Sequence, residues 1–282
     1  MSCPNQSNYY AMDDSIHTNF KENISYGDYL CLEKILSAQQ PCSEQHDEML
    51  FVIVHQASEL WLKLASHELI ALIKNVKDRH FDYAFKVISR VKQIVRQLTQ
   101  SWDILSTLTP VDYMKFRDNL GRSSGIQSYG YRKIEFLLGN KNTSLLAVYE
   151  SNESVHSELC DILKQPSLYD EVISSLHTRG LKIDTEVLHR DVTLPYQSHD
   201  SVLNAWLTVY QNHDQYFEFY ELAEKLLDIE ELIQQWRFKH MSTVMRVIGN
   251  KKGTGGSSGV NFLKKAMDIS FFPELYTVRT LL

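Results

Sequence analysis

Two kinds of helix breaker are missing from a long stretch of this chain: no glycine occurs between Gly27 and Gly121, and no proline between Pro41 and Pro110. Their joint absence predicts long uninterrupted helices there. Cysteine is scarce. Cys3, Cys31, Cys42 and Cys160 stand apart without C-x-x-C spacing, which argues against a disulfide framework and against a cysteine-based zinc site. Positive charge is not in excess either: the net charge of −6 disfavours a polyanion as the main partner, so no nucleic acid is expected. No run reaches the roughly 18 apolar residues of a membrane span. The N-terminus, "MSCPNQSNYYAMDDSIHTNF", lacks the basic start and apolar core of a signal peptide. A soluble cytoplasmic protein with no membrane partner is the expectation.

What is present is helical periodicity. In "EMLFVIVHQASELWLKLASHELIALIKNV" Phe51, Val54, Ala57, Trp61, Leu64 and Ala65 recur at spacings of three and four. A second pattern runs through Val87, Val91, Ile94, Leu98 and Leu105. Thr109, Pro110 and Asp112 then supply an N-cap, a proline at the first helical position and an acidic first turn. Gly121 closes that short helix, and "SYGYRKIEFLLGNK" starts another that ends at Gly139. Residues 179 to 201, with Gly180 and Pro195, read as mostly irregular. Further on, "ELAEKLLDIEELIQQWRFKHMSTVMRVIG" places Leu222, Leu226, Ile229, Ile233, Trp236, Val244 and Val247 on one stripe. No strand alternation, internal repeat or low-complexity linker appears. The expected fold is therefore all-α, a single-domain helical bundle around one core.

Several residues could carry chemistry. His240 stands four residues after Trp236 and four before Val244, inside the apolar stripe. It is either a hydrogen-bonded core histidine or a buried neutral imidazole ligating a metal or haem iron. His55, after the apolar run "LFVIV", poses the same choice, with Glu59 one turn on as a partner that could satisfy it. Tyr113 and Arg117 share a helix face. They form either a surface ion-pair arrangement with Asp112 or Asp118, or a fork for a carboxylate beside a phenol. His67-Glu68 lacks the second histidine of H-E-x-x-H. The loop "GNKKGTGGSSG" holds five of the eleven glycines, yet it fails G-x-G-x-x-G at the third glycine and follows a helix, so it is not a phosphate loop.

Six stretches in order tie these features together: "ISYGDYL" from Ile24, "HDEMLFVIVHQASELWLKL" from His46, "LTPVDYMKFRDNLGRSSGIQSYGYR" from Leu108, "WRFKHMSTVMRVIG" from Trp236, "GTGGSSG" from Gly253 and "FFPELYTVRT" from Phe271. In these the chain resembles the bacterial tryptophan 2,3-dioxygenases, from about His17 to the last residue. The resemblance implies a haem-binding all-helical dioxygenase domain over residues 17–282, preceded by a flexible segment over 1–16. It further implies a homotetramer with one non-covalent haem b per subunit and O2 as co-substrate. The implied reaction adds both oxygen atoms across the indole C2–C3 bond of L-tryptophan and gives N-formyl-L-kynurenine. Carried over by position, His240 would be the axial iron ligand, with Trp236 and Trp102 packing on the haem. His55 would be the catalytic histidine, hydrogen-bonding the indole N–H. Phe51, Val52, Ile53, Val54, Leu120 and Ser124 would line the substrate. Arg117 and Tyr113 would take its carboxylate, Thr254 its ammonium, and Tyr26 and Tyr29 of a neighbouring subunit would close the pocket. The glycine loop becomes a lid. One departure is Ile126, where the family usually has Phe, which bears on pocket volume and haem-edge packing. Two other readings stay in view: single-oxygen insertion on the same scaffold, and a helical interaction protein without haem.

Overall fold

The breaker-free stretch folds as the two long helices it predicts. The computed structural model describes residue 13, residues 15–21 and residues 23–282. The expected flexible segment over residues 1–16 therefore lies mostly outside the described residues. The chain separates into two units, Met1–Gln40 and Pro41–Leu282. In the first, α1 (Tyr26–Tyr29) opens on a capping box in which Ser25 Oγ accepts from the Asp28 N–H at 3.2 Å and Asp28 Oδ2 accepts from the Ser25 N–H at 3.3 Å. Cys31, at φ 51°, turns the chain into α2 (Leu32–Leu36).

The second unit is built on α3 (His46–Lys77) and α4 (Phe81–Leu105), joined by a tight turn in which Arg79 takes φ 58°. Next come α5 (Pro110–Phe116), α6 (Tyr129–Leu138), α7 (Glu153–Leu163), α8 (Leu168–Thr178), the short α9 (Thr185–Leu188) and α10 (Asp200–Gln211). The unit ends with α11 (Phe217–Ile248), α12 (Val260–Met267) and α13 (Pro273–Leu281). The described residues contain no strand, as the sequence pattern requires. No helix among them is long and apolar enough to cross a membrane. Both α3 and α11 run for 32 residues, about 48 Å each at 1.5 Å per residue. Helix α4 packs between them, and α3 also meets α6 and α8.

Local chemistry sets the short elements. Thr109 caps α5 by accepting from the Asp112 N–H at 3.2 Å, with Pro110 at the first helical position. Gly139, at φ 109°, ends α6 where a side chain would be strained. The stripe on α4 is buried throughout, from Val87 to Leu105. The stripe on α3 is not. Val54 and Ala65 are buried, but Trp61 and Leu64 are each 37% exposed, and Leu62, Leu69, Leu72 and Val76 turn inward instead. Around Trp61 the helix is apolar on nearly every face, so periodicity cannot choose which face points inward.

Three apolar clusters form the interior. The largest draws on α3, α4, α6, α8, α10, α11 and α13. A smaller one joins Val54, Trp102, Leu105, Leu108, Tyr113, Phe116 and Val247, where α3, α4, α5 and α11 converge. A third surrounds Phe136 and Tyr149. Trp236 packs against the first two. Polar staples cross the large cluster. Buried Glu274 accepts from the Tyr169 hydroxyl at 2.9 Å, the Tyr196 hydroxyl at 2.6 Å and the His199 N–H at 2.8 Å, while Trp206 Nε1 donates to the Tyr169 oxygen at 3.0 Å.

Candidate functional site

The smaller cluster is where the chemistry-bearing residues meet. Phe51 lies one turn before His55 on α3, and its ring stands 4.2 Å from the imidazole, 5.9 Å from Tyr113 and 5.7 Å from Phe116. Phe51 and Leu120 pack against the cluster to which Val54 belongs. His55 Nδ1 is 2.7 Å from the Phe51 carbonyl oxygen. A carbonyl only accepts, so Nδ1 carries the proton and Nε2 is left as an acceptor. Burial lowers the His55 pKa and outweighs that hydrogen bond, which keeps the ring neutral. Glu59, the partner suggested by the helical spacing, does not satisfy His55. It accepts instead from Ser128 Oγ at 2.5 Å and from the Gly130 N–H.

His240 lies on α11. Its ring lies parallel to Trp102, with centroids 4.4 Å apart and planes at 7°, and Trp236 stands 5.6 Å away. Burial, reinforced by the proximity of His55, depresses its pKa to about 4, so at neutral pH it offers a free lone pair. Trp102 Nε1 is a buried donor with no hydrogen-bond partner among the described residues.

Arg117 begins a 3-10 turn over Arg117–Leu120 that continues α5. Neither Asp112 nor Asp118 takes it. Asp112 pairs with Lys115 at 2.8 Å and with Thr109 at 2.5 Å, while Arg117 Nη2 donates to the Lys252 carbonyl at 2.8 Å. Its guanidinium also hydrogen-bonds Tyr113, and Nε is buried without a partner. The surface ion pair with Asp112 or Asp118 is not formed. Desolvation raises the Tyr113 pKa, which holds the phenol as a donor.

The glycine loop lies against this turn region. Thr254 Oγ1 donates to the Ser123 carbonyl. A Cβ on Gly255 would fall 2.6 Å from Ser124 Cβ and 3.6 Å from Ile126 Cγ2, so the loop sits on Ser124 and Ile126 at a distance only glycine permits. Positive φ at Gly249 (60°), Gly256 (84°) and Gly259 (62°) shapes its bends.

Some expected residues are not brought to this cluster. Ile53 is 47% exposed on another face of α3, and Val52 is half-buried beside it. Tyr26 and Tyr29, expected to act from a neighbouring subunit, belong to the first unit and are 75% and 73% exposed there. Sequence reasoning missed the Ser123 and Lys252 carbonyls, which are backbone acceptors more than 130 residues from their donors in sequence and carry no side-chain signature. It also missed the Glu59 contact with α6, for which Gly130 inside a helix is the available signal.

Fold and cluster together define an all-α protein in which two neutral histidines face an aromatic, arginine-edged site from separate long helices. The sequence pattern of the family described as tryptophan 2,3-dioxygenase matches residues 12–282. A curated tryptophan 2,3-dioxygenase of Shewanella woodyi is 71% identical over 277 residues, covering 98% of this chain and 97% of that protein. Those of Exiguobacterium sibiricum and Geobacillus thermodenitrificans are each 53% identical, over 98% of this chain and 99% of their own length. The chain belongs to the tryptophan 2,3-dioxygenase family.

Proposed function

We propose that this chain is a haem-dependent dioxygenase that inserts both atoms of O2 across the indole C2–C3 bond of L-tryptophan to give N-formyl-L-kynurenine, opening tryptophan catabolism through kynurenine. The observation that carries the reading is the pair of neutral histidines on one aromatic cluster, each with a nitrogen left free to accept.

The residues present suit a haem. His240 is in the unprotonated form that ligates iron, its ring is fixed by the parallel stack on Trp102, and Trp236 and Val247 add flat and apolar surface. The orphaned Trp102 Nε1–H is a donor that the acidic edge of a bound group would satisfy. When bound, haem supplies the iron centre that takes up and activates O2.

The remaining steps belong to this chain's side chains. Nε2 of His55 accepts from the indole N–H, a contact that requires the tautomer set by the Phe51 carbonyl. The Phe51 ring and Val54 flank the indole, with Leu120 and Ser124 beside it. Arg117 takes the carboxylate, helped by the Tyr113 hydroxyl. Lys252 already holds one arm of the guanidinium, so the clamp is oriented before substrate arrives. Thr254 donates to Ser123, and its oxygen therefore keeps lone pairs free to accept from the ammonium. Closure of the loop over these groups excludes water.

The reading extends to a cytoplasmic homotetramer in which residues 17–282 form the haem-binding domain and Tyr26 and Tyr29 of a neighbouring subunit cover the pocket. Their exposure on α1 supports that role. The deciding assay gives the reduced, haem-loaded protein L-tryptophan and O2 and weighs the product. A gain of two oxygen atoms is expected, and a gain of one would replace the dioxygenase by a monooxygenase. Loss of the Soret band in His240→Ala checks the iron ligand.

A further inference from the structure

Glu59 lies one turn beyond His55 on α3, yet its carboxylate reaches across to the start of α6. Ser128 Oγ donates to it at 2.5 Å, and the Gly130 N–H donates as well. The approach is close. A Cβ on Gly130 would stand 2.7 Å from Glu59 Oε2 and 3.0 Å from Leu62 Cβ, so glycine is what lets the first turn of α6 reach the carboxylate. Helix N-termini favour negative charge through their free amide groups, and the ten-residue α6 presents such an end here. Tyr149 holds the same point separately, its hydroxyl donating to the Ser128 carbonyl at 3.1 Å.

The segment so fixed runs from Ser123 to Ser128, and it is the seat of the glycine loop. Thr254 bonds to the Ser123 carbonyl, and Gly255 rests on Ser124 and Ile126. Gln127 stiffens the span between seat and anchor, its Oε1 accepting from the Ser124 N–H at 3.1 Å. One helix therefore carries both the histidine and the carboxylate that anchors the loop's seat.

We propose that Glu59 is a positioning residue for amino-acid recognition: by tying the His55 helix to the 123–128 segment, it sets the spacing between the imidazole that meets the indole and the loop that meets the ammonium. The proposal rests on the reading of the loop given above. Glu59 acts as a ruler. It touches no substrate and fixes the distance over which a ligand must place its two polar ends.

The test uses the haem-loaded full chain carrying Glu59→Gln, and separately Gly130→Ala. Two quantities are measured: hydrogen exchange of the 250–258 amides without substrate, and the affinities for L-tryptophan and for 3-(indol-3-yl)propionate, which lacks the ammonium. Gln keeps one acceptor but turns an NH2 toward the other donor. Loop exchange is expected to accelerate about tenfold, the equivalent of one charge-assisted hydrogen bond, with the protection of α3 and α6 unchanged. L-Tryptophan affinity is expected to fall about tenfold and that of the propionate less than about twofold. Unchanged loop exchange in both variants overturns the role of Glu59. Faster exchange with equal weakening of both ligands instead overturns the reading of the loop as the ammonium site. Should Glu59→Gln loosen α6 itself, Gly130→Ala keeps every polar group and presses hardest on the carboxylate, at 2.7 Å against 3.0 Å for Leu62 Cβ, and the same expectation and refutation apply to it.

Discussion

At the scale of single residues, the tautomer of His55 has a consequence in pH. Burial keeps its pKa below the ordinary histidine value of 6.5. Above that pH Nε2 accepts, and once the ring takes a proton it can only donate. Tryptophan affinity should therefore be flat from pH 8 down to about 6.5 and then fall as pH drops through the lowered pKa. Titrating binding of L-tryptophan beside 1-methyltryptophan checks this, because the methylated indole has no N–H to offer and should not follow the same curve. Arg117→Leu tests the proposed clamp. It should weaken tryptophan binding by about 1.5–3 kcal/mol, roughly ten- to hundredfold, and leave unsubstituted indole nearly unaffected. Equal losses for both ligands would refute a carboxylate contact. Composition and spacing made both histidines and the Tyr113–Arg117 pair visible as candidates, but they left each with two readings. What the sequence could not supply was the location of acceptors: the Phe51 carbonyl that sets the His55 tautomer and the Lys252 carbonyl that holds Arg117.

Among the elements, the glycine loop makes the clearest demand on sequence. Gly255 is exposed and its φ is ordinary, so alanine there costs the fold nothing in conformation. Alanine would, however, place a Cβ 2.6 Å from Ser124 Cβ and 2.9 Å from Ser124 Oγ, and the loop could no longer lie on its seat. Gly255→Ala should therefore leave the thermal midpoint in place while reducing tryptophan affinity about tenfold, roughly one lost hydrogen bond to a charged group. Calorimetry and a binding titration on one preparation separate the two effects. A drop in the midpoint with unchanged affinity would mean that the loop serves the fold instead. The start of α5 and the end of α6 were legible because caps are local: Thr109, Pro110 and Gly139 act within a turn of where they stand, whereas Gly121 closes the 3-10 turn that follows α5 and not α5 itself. The inward face of α3 was illegible around Trp61, since Trp61 and Leu64 are as apolar as the residues that replaced them in the core.

For the whole molecule, one buried carboxylate ties several elements of the large cluster together. Glu274 on α13 draws in Tyr169 from α8 and, through Tyr196 and His199, the segment leading into α10. Burial and the carboxylate's charge raise the pKa values of both phenols, so they remain donors at any physiological pH. Glu274→Ala would leave these donors without an acceptor, at a cost of roughly 3–5 kcal/mol. Urea unfolding should show the loss as a lower midpoint. Glu274→Gln, which keeps an acceptor oxygen, should lose markedly less, and equal losses would assign the effect to packing alone. The all-α class was readable from the missing breakers and the absent alternation. This staple was not, because a glutamate in "FFPELY" looks like any helix-start acid until its partners, 75 to 105 residues away in sequence, are in place.

The parallel stack of Trp102 on His240, with Trp236 5.9 Å from Trp102, also gives the protein an optical property. These two are half of the chain's four tryptophans. Indole emission is extinguished by energy transfer to a strongly absorbing macrocycle in contact with the ring. A haem seated on His240 would darken this pair most completely and leave any residual light to Trp61 and Trp206. Tryptophan emission would then report haem loading in a fluorimeter without any label.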